Sequence, residues 1–166
     1  ISLANRAGNL DRQSAILSQL LGNLQDISWH KLGLLAVFGT LGVLMLWSGA
    51  NELNLMALGE ESAAHLGVNI EGFKRRVILA GALVTAGAVS VAGIIAFVGL
   101  VVPHIARRLV GPDHRILLPT AFLLGGLVLT CADWLSRVYL AQLEVGVITS
   151  LIGAPVFCYL LRQRLR

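Results

Sequence analysis

Long uncharged apolar runs alternate along this chain with short polar and basic stretches. The first run, residues 32–48, is bounded by Trp29 and Trp47. In a helix that rises about 1.5 Å per residue, these two positions lie roughly 27 Å apart, close to the thickness of the hydrocarbon layer of a bilayer. Because tryptophan favours the two membrane interfaces, the pattern predicts a first membrane-spanning helix.

The remaining apolar runs predict membrane helices over residues 77–95, 102–110, 116–139 and 145–161. The uncharged stretch over residues 77–106 is too short for two crossings of about 20 residues each. We therefore expect one short helix of about eight residues, with Pro103 in its first turn and Gly111 at its end. Neighbouring helices must enclose it, because unpaired backbone groups are costly in lipid.

Basic residues predict the orientation. Clusters at residues 74–76, at 107–108 and near the C-terminus are placed on one, cytoplasmic, side, and residues 1–31 form an extramembrane periplasmic segment ahead of the transmembrane region 32–166. Most of the 13 Lys and Arg residues then lie inside, and four lie outside: Arg6, Arg12, Lys31 and Arg137. The expected location is the cell inner membrane, crossed several times, with a cytoplasmic C-terminus.

Composition agrees with a membrane protein. The 166 residues are 56% hydrophobic and 13% charged, with a mean hydropathy of +0.78, whereas soluble domains carry roughly 25% charged residues. The net charge is +4, and the basic residues flank the apolar runs without forming a basic face. We therefore expect no nucleic-acid partner. The chain begins at Ile1 without a signal-peptide pattern, and we expect it to be a piece of a longer protein. Cys131 and Cys158 lie inside apolar runs and are expected to behave as small hydrophobic residues.

The stretch "LMALGEESAAHLGVN", residues 55–69, is too short and too polar to cross a bilayer. Gly59 predicts a bend between two very short helices, with Glu60 and Glu61 in the first turn of the second and Gly67 at its end. Asn69 is expected to cap the next helix. Helices this short are marginal in water, so either the chain's own spans or a docked partner must hold them.

Other polar residues leave alternatives open. Asp133 and Arg137, four positions apart, predict either a surface ion pair or a functional pair, and residues 113–115 predict a polar turn or a second partner contact. No metal-ligand spacing joins the four histidines, so structural roles are expected for them: His30, His65, His104 and His114. No phosphate-binding glycine loop is present. We therefore expect no cofactor, no metal and no enzymatic activity in this chain.

Several motifs, taken together and in this order, resemble those of the permease subunits of ABC importers for iron-siderophores, haem and cobalamin. They are residues 55–69, "AFVGLVVPHIARRLVGPDHRILLP", the "AD" pair at Ala132 and Asp133, and "GVITSLIGAPVFCYLL". The resemblance runs from about residue 28 to the C-terminus. It implies an all-α, polytopic helical membrane protein of the type II ABC importer permease kind, and only the C-terminal half of one.

The resemblance also implies a function. The chain would be part of the transmembrane permease subunit of an ATP-driven importer that carries an iron-siderophore, haem or cobalamin across the inner membrane. A cytoplasmic coupling loop over residues 50–72 would seat in a separate ATP-binding subunit. The positions that match this loop's motif are Leu58, Gly59, Glu60, Glu61, Ala64, Leu66 and Gly67.

The remaining implied partners are a periplasmic substrate-binding protein, docked at Arg137, a second permease copy or half, and membrane lipid. Two alternatives stay open: a secondary transporter, and a structural membrane subunit without an ATPase partner. The absence of ionisable side chains from residues 32–48 and 77–97 argues against the first.

Overall fold

The computed structural model describes residues 21–22, 24, 27–139 and 143–164, and the described residues contain helices and no strands. Most of the predicted N-terminal extramembrane segment, including residues 1–20, lies outside the described residues, as do residues 165–166. The described helices are α1 Trp29–Ser48, α2 Ala50–Met56, α3 Glu60–His65, α4 Ile70–Ala92, α5 Val98–Val110, α6 His114–Tyr139 and α7 Val145–Arg164. The predicted all-α class is confirmed.

Helices α1 and α4 form an antiparallel pair that meets through glycines. A Cβ at Gly42 of α1 would overlap the Val84 side chain of α4, and a Cβ at Gly87 of α4 would lie 3.2 Å from that of Phe38. At the end of the pair, Phe73 packs against Gly49. Small residues therefore allow the close backbone approach that helices need in lipid, where dispersion contacts replace the hydrophobic effect.

Helices α5, α6 and α7 form the second group. Val102 and Ala106 of α5 are buried, and Val102 lies beside Gly125 of α6. The core between α6 and α7 contains Ala132, Val145 and Ile148, with partly buried Leu24, Leu129 and Leu135 around it. At the same end, the hydroxyl of Ser136 in α6 donates to the carbonyl of Leu143, which ties α6 to the segment before α7.

Both groups of helices extend between the same two ends of the bundle. At one end, α2 contacts the first residues of α6 through Asn54 and Asp113. At the other end, Gly146 of α7 lies beside the residues that follow α4, since a Cβ at Gly146 would be 3.0 Å from the carbonyl oxygen of Ile94. The two basic stretches at residues 74–76 and 107–108 thus lie at the same end, as the charge pattern predicts, and Arg137 lies at the opposite end.

Within the described ranges, three helices are long and apolar enough to cross a membrane: α1, α4 and α6. In α7 the apolar part, Val145–Leu160, is shorter. Helix α4 ends at Ala92, three residues before the predicted limit at 95, because Gly93 adopts a φ of +72° and terminates it.

The prediction for the short helix is wrong at its start. Helix α5 has 13 residues rather than about eight, and Pro103 is its sixth residue, outside the first turn. The carbonyl of Phe97, whose φ of 65° is left-handed, accepts hydrogen bonds from Leu100 and Val101, and this sets the earlier start. Pro103 thus stands inside the helix, where proline removes one backbone hydrogen bond and its ring crowds the carbonyl four residues earlier. The predicted end at Gly111 is confirmed, with a φ of +85°.

Candidate functional site

Residues 50–69, here called the two-helix segment, form two short helices at the end of the α1–α4 pair. Gly59, with a φ of +110°, separates α2 from α3. Gly67 ends α3 with a φ of +86°; its N–H donates to Ala64 and that of Val68 to Ala63, the paired bonds of a Schellman motif. Asn69 caps α4 by accepting from the N–H of Gly72 over 3.0 Å. Two short helices, a bend and two terminal signals, Gly67 and Asn69, are thus found as predicted.

The two-helix segment presents apolar side chains outward. Leu58 is 69% exposed and Leu66 is 61% exposed, while the residue that anchors α3 is Ala63, which is fully buried. All seven positions of the predicted coupling motif lie at the surface: Leu58, Gly59, Glu60, Glu61, Ala64, Leu66 and Gly67. The described membrane helices therefore do not bury the side chains of Leu58 and Leu66.

The two acidic residues of α3 have different surroundings. Glu60 forms a salt bridge with Lys74 of α4, with 2.7 Å between Oε2 and Nζ. Among the described residues, Glu61 forms no salt bridge, and its side chain is exposed. Glu60 therefore helps to hold α3 against α4, whereas the charge of Glu61 is available to another molecule.

A polar cluster joins α2 to the start of α6; the sequence indicated a polar turn at residues 113–115 but not its partners in α2. The side-chain amide of Asn54 donates to Asp113 Oδ1 over 2.7 Å, and Asn54 Oδ1 accepts from the backbone N–H of His114 over 2.9 Å. His114 Nδ1 lies 2.7 Å from the same oxygen, so this nitrogen carries the proton. The guanidinium of Arg115 donates to Asn51. These five residues are here called the Asn54 junction.

Asp113 remains ionised in this cluster. Hydrogen bonds from the backbone N–H of Arg115 and from the Asn54 amide hold the pKa of Asp113 below its ordinary value. Because both donors favour the carboxylate, Asp113 is a charged acceptor for Asn54. The only sequence signals of the junction were two asparagines, three positions apart in α2, and the polar turn that was predicted at residues 113–115.

Arg137 lies at the opposite end of α6. Its Nε donates to Asp133 Oδ2 over 2.8 Å, and about half of the Arg137 side chain is exposed. The other oxygen of Asp133 is buried without a hydrogen-bond partner among the described residues. The predicted pairing is confirmed, and it orients the guanidinium at the rim of the bundle.

The histidines form no common site. No group of three or more His, Cys, Asp and Glu side chains within the described ranges is placed to hold a metal ion. His104 Nε2 is buried and has no hydrogen-bond partner among the described residues. The structural hydrogen bond that was expected for the His104 side chain is therefore not seen at this atom.

A groove of about 690 Å³ near Leu21, Ile94 and Gly146 is lined mainly by apolar atoms.

The FecCD transport family matches residues 1–163. The chain belongs to this family. Its resemblance to the permeases of metal-chelate and cobalamin importers is thereby confirmed. This FecCD chain is 46% identical over 145 residues to the cobalamin import system permease protein BtuC of Halobacterium salinarum, covering 87% of the chain and 39% of BtuC.

It is also 44% identical to the hemin transport system permease protein HmuU of Yersinia pestis, covering 87% of this chain and 44% of HmuU. Its fold matches a solved inward-facing conformation of a metal-chelate type ABC transporter with a TM-score of 0.83 and 34% identity, over 90% of this chain and 49% of that one. The FecCD chain thus spans roughly two fifths to one half of the length of these proteins.

Proposed function

We propose that this FecCD chain is part of the membrane-spanning permease of an ATP-driven importer, and that the two-helix segment docks in a separate ATP-binding subunit. The cargo class is an iron-siderophore, haem or cobalamin. Similar proteins are import permeases for cobalamin and for hemin, which supports this class. ATP would be hydrolysed in the partner subunit and not in this chain.

The exposure of Leu58 and Leu66, at the ends of two short helices, carries the proposal. Helices of six and seven residues cannot persist through their own hydrogen bonds in water, because the first turn is costly to nucleate. Here the turn at Gly59, the paired backbone bonds at Gly67 and Val68 and the buried Ala63 fix their shape while the leucines stay outside. An ordered apolar projection at one end of a helical bundle is suited to a groove in another protein.

The seven motif residues would contribute to the contact with the ATPase in different ways. Leu58 and Leu66 supply apolar area, Gly59 and Gly67 set the shape, and Ala64 permits close approach. Glu61 supplies a charge, so we expect the groove to carry a basic side chain near it. Glu60, already paired with Lys74, acts mainly within the chain.

The opposite end has a second role in this proposal. Arg137, oriented by Asp133, would meet an acidic side chain of a periplasmic substrate-binding protein, as a surface salt bridge that guides docking. The end with the two-helix segment would then face the cytoplasm, together with the C-terminus, in the inner membrane. A second permease copy or half would complete the path for the cargo.

Co-purification of the full-length permease with its ATP-binding subunit tests the proposal. Replacing both leucines (Leu58→Asp and Leu66→Asp) should lower the affinity for the ATPase at least about tenfold, since each buried leucine contributes roughly 1.5–3 kcal/mol. Glu61→Lys should lower it further in a salt-dependent manner. Leu143→Asp, an equally polar change at the opposite end, is the control and should leave the ATPase bound. Full retention by the double variant would contradict docking through the two leucines, whereas failure of the unaltered permease to retain an ATPase would favour a membrane subunit without an ATPase partner.

A further inference from the structure

Besides the Glu60–Lys74 salt bridge, the two-helix segment is attached to the described remainder of the chain at three places. At its first residue it continues directly from α1 through Gly49, and at its last residue Asn69 caps α4. The third attachment is the Asn54 junction. Asn54 and Asp113 are 59 positions apart, so this attachment reaches a helix that is not adjacent to the segment along the chain.

The Asn54 side chain binds the two residues at which α6 begins. Its amide donates to the Asp113 carboxylate, and its oxygen accepts from the first N–H of the helix, at His114. Asp113 itself accepts from the N–H of Arg115 over 3.0 Å, and its backbone carbonyl accepts from Leu117 over 2.8 Å. Asn54 is therefore bonded to the N-terminal cap of α6 rather than to a mobile side chain.

Helix α6 runs from this junction to the opposite end of the bundle. Its 26 residues correspond to about 39 Å. Near its far end it carries the Asp133–Arg137 pair, and Ser136 is bonded to the segment that precedes α7. A displacement of the first turn of α6 therefore acts on the end at which a binding protein would dock.

The other attachments are less suited to carry a displacement to the far end. The Glu60–Lys74 pair is exposed on both sides, with 60% and 42% of the side chains accessible, and exposed pairs contribute little. Gly49 joins α2 to α1, and glycine has no side chain that could fix the angle between these two helices. The Asn54 junction has several bonds, one of them to a charged acceptor, and such bonds are the stronger ones.

We propose that Asn54 is a positioning residue that transmits movement of the two-helix segment to α6, and through α6 to the face that carries Arg137. This inference rests on the proposed function, because the docked ATPase supplies the movement. It assigns Asn54 to transmission and not to docking, since Asn54 is partly buried and its side chain is directed at α6.

Reversal of the hydrogen-bonding pair provides a specific test. Asn54→Asp removes the donor and places a second carboxylate beside that of Asp113, so that two acceptors face each other where a hydrogen bond stood. Adding Asp113→Asn restores one amide and one carboxylate with their roles exchanged, and the oxygen of the new amide can still accept from the N–H of Arg115. Asn69→Asp is the matched control, because it makes the same charge change at the same end and aspartate caps a helix as well as asparagine. Asn54→Ser removes the bonds without adding charge, should Asn54→Asp not accumulate.

The measurement uses the complete permease with its ATPase in lipid nanodiscs and needs no cargo. After Cys131 and Cys158 are replaced by serine, spin labels at Val89 and Tyr139 report the distance between the far ends of α4 and α6. Trapping the ATPase with ATP and vanadate should shift this distance in the parent and in Asn69→Asp. In Asn54→Asp the shifted population should fall at least about tenfold, with the ATPase still bound, and the double variant should recover it.

Three results would overturn the inference: an unchanged shift in Asn54→Asp and Asn54→Ser, no shift in the parent, or release of the ATPase by these variants. None of them is the result that contradicts the proposed function, which is retention of the ATPase by the Leu58 and Leu66 double variant. The two claims can therefore fail separately.

Discussion

At the scale of single residues, two glycines determine the shape of the two-helix segment. Gly59 has φ +110° and ψ 149°, a region that residues with a Cβ rarely enter, and Gly67 has a φ of +86°. No atom lies within 4 Å of a Cβ built at either position, so the surroundings do not require glycine. The requirement comes from the backbone alone, and a larger side chain at either position would strain the turn.

Alanine at these glycines should weaken the ATPase complex while leaving the membrane helices folded. Gly59→Ala or Gly67→Ala imposes about 1–3 kcal/mol of backbone strain on the docked shape. We expect a loss of affinity of about tenfold or more in a titration of the purified permease with the ATPase. Gly81→Ala in α4 is the control, because Gly81 has an ordinary helical φ and open space around it. Equal affinities for all three variants would show that the turn geometry is not needed for docking.

At the scale of elements, the α1–α4 pair shows how close approach depends on position and not on the number of small residues. Gly42 lies against Val84 and Ala80, whereas Gly39, one turn earlier in the same helix, has no atom within 4 Å of a Cβ position. The sequence presents both as small residues in a span. Only the rotation of α1 about its own axis, which packing fixes, distinguishes the glycine in contact from the other.

Substitution at these two positions should separate their roles. Gly42→Ala places a methyl group into Val84 and should lower the free energy of unfolding in detergent by about 1–3 kcal/mol, the usual cost of overpacking. Val84→Ala in the same chain removes the overlapping atoms and should recover part of that loss. Gly39→Ala should be neutral or slightly stabilising. Thermal unfolding of the full-length permease checks this, and identical effects at both glycines would contradict the described packing of α1 on α4.

At the scale of the whole molecule, the polar sites are divided between two ends. The two-helix segment, the Asn54 junction and two basic stretches share one end, and the Asp133–Arg137 pair lies at the other. An importer needs this division, because the motor and the binding protein act from opposite sides of the membrane. Helix α6 connects the two ends within one element.

Accessibility labelling should detect the two ends from different compartments. In a variant without Cys131 and Cys158, a cysteine at Leu58 should react with a membrane-impermeant maleimide only in inverted vesicles, from which the ATPase has been removed so that it does not cover this position. A cysteine at Arg137 should react only in intact spheroplasts. The expected difference in labelling is about tenfold or more, since lipid blocks the reagent. Reaction of Leu58→Cys from the periplasmic side would reverse the orientation and contradict the importer proposal.

The sequence alone determined the features that depend on local chemistry. The apolar runs predicted helices in the right order, and Gly59, Gly67, Asn69 and Gly111 marked a bend and helix ends that the structure confirms. These signals work because a helix end depends on the φ of one residue and on a few nearby backbone groups. The Asp133–Arg137 pair was also predictable, since positions four apart share a face of a helix.

Which of these residues meet across the fold depends on how the helices pack against one another. The start of α5 depends on the left-handed turn at Phe97, and no local signal placed Pro103 inside the helix. The exposure of Leu58, the pairing of Glu60 with Lys74 and the bonding of Asn54 to Asp113 each depend on how separate helices pack. The physical reason is that a spacing in sequence fixes neighbours within one helix, whereas contacts between helices depend on rotation and depth, which the apolar pattern of a membrane span leaves nearly free.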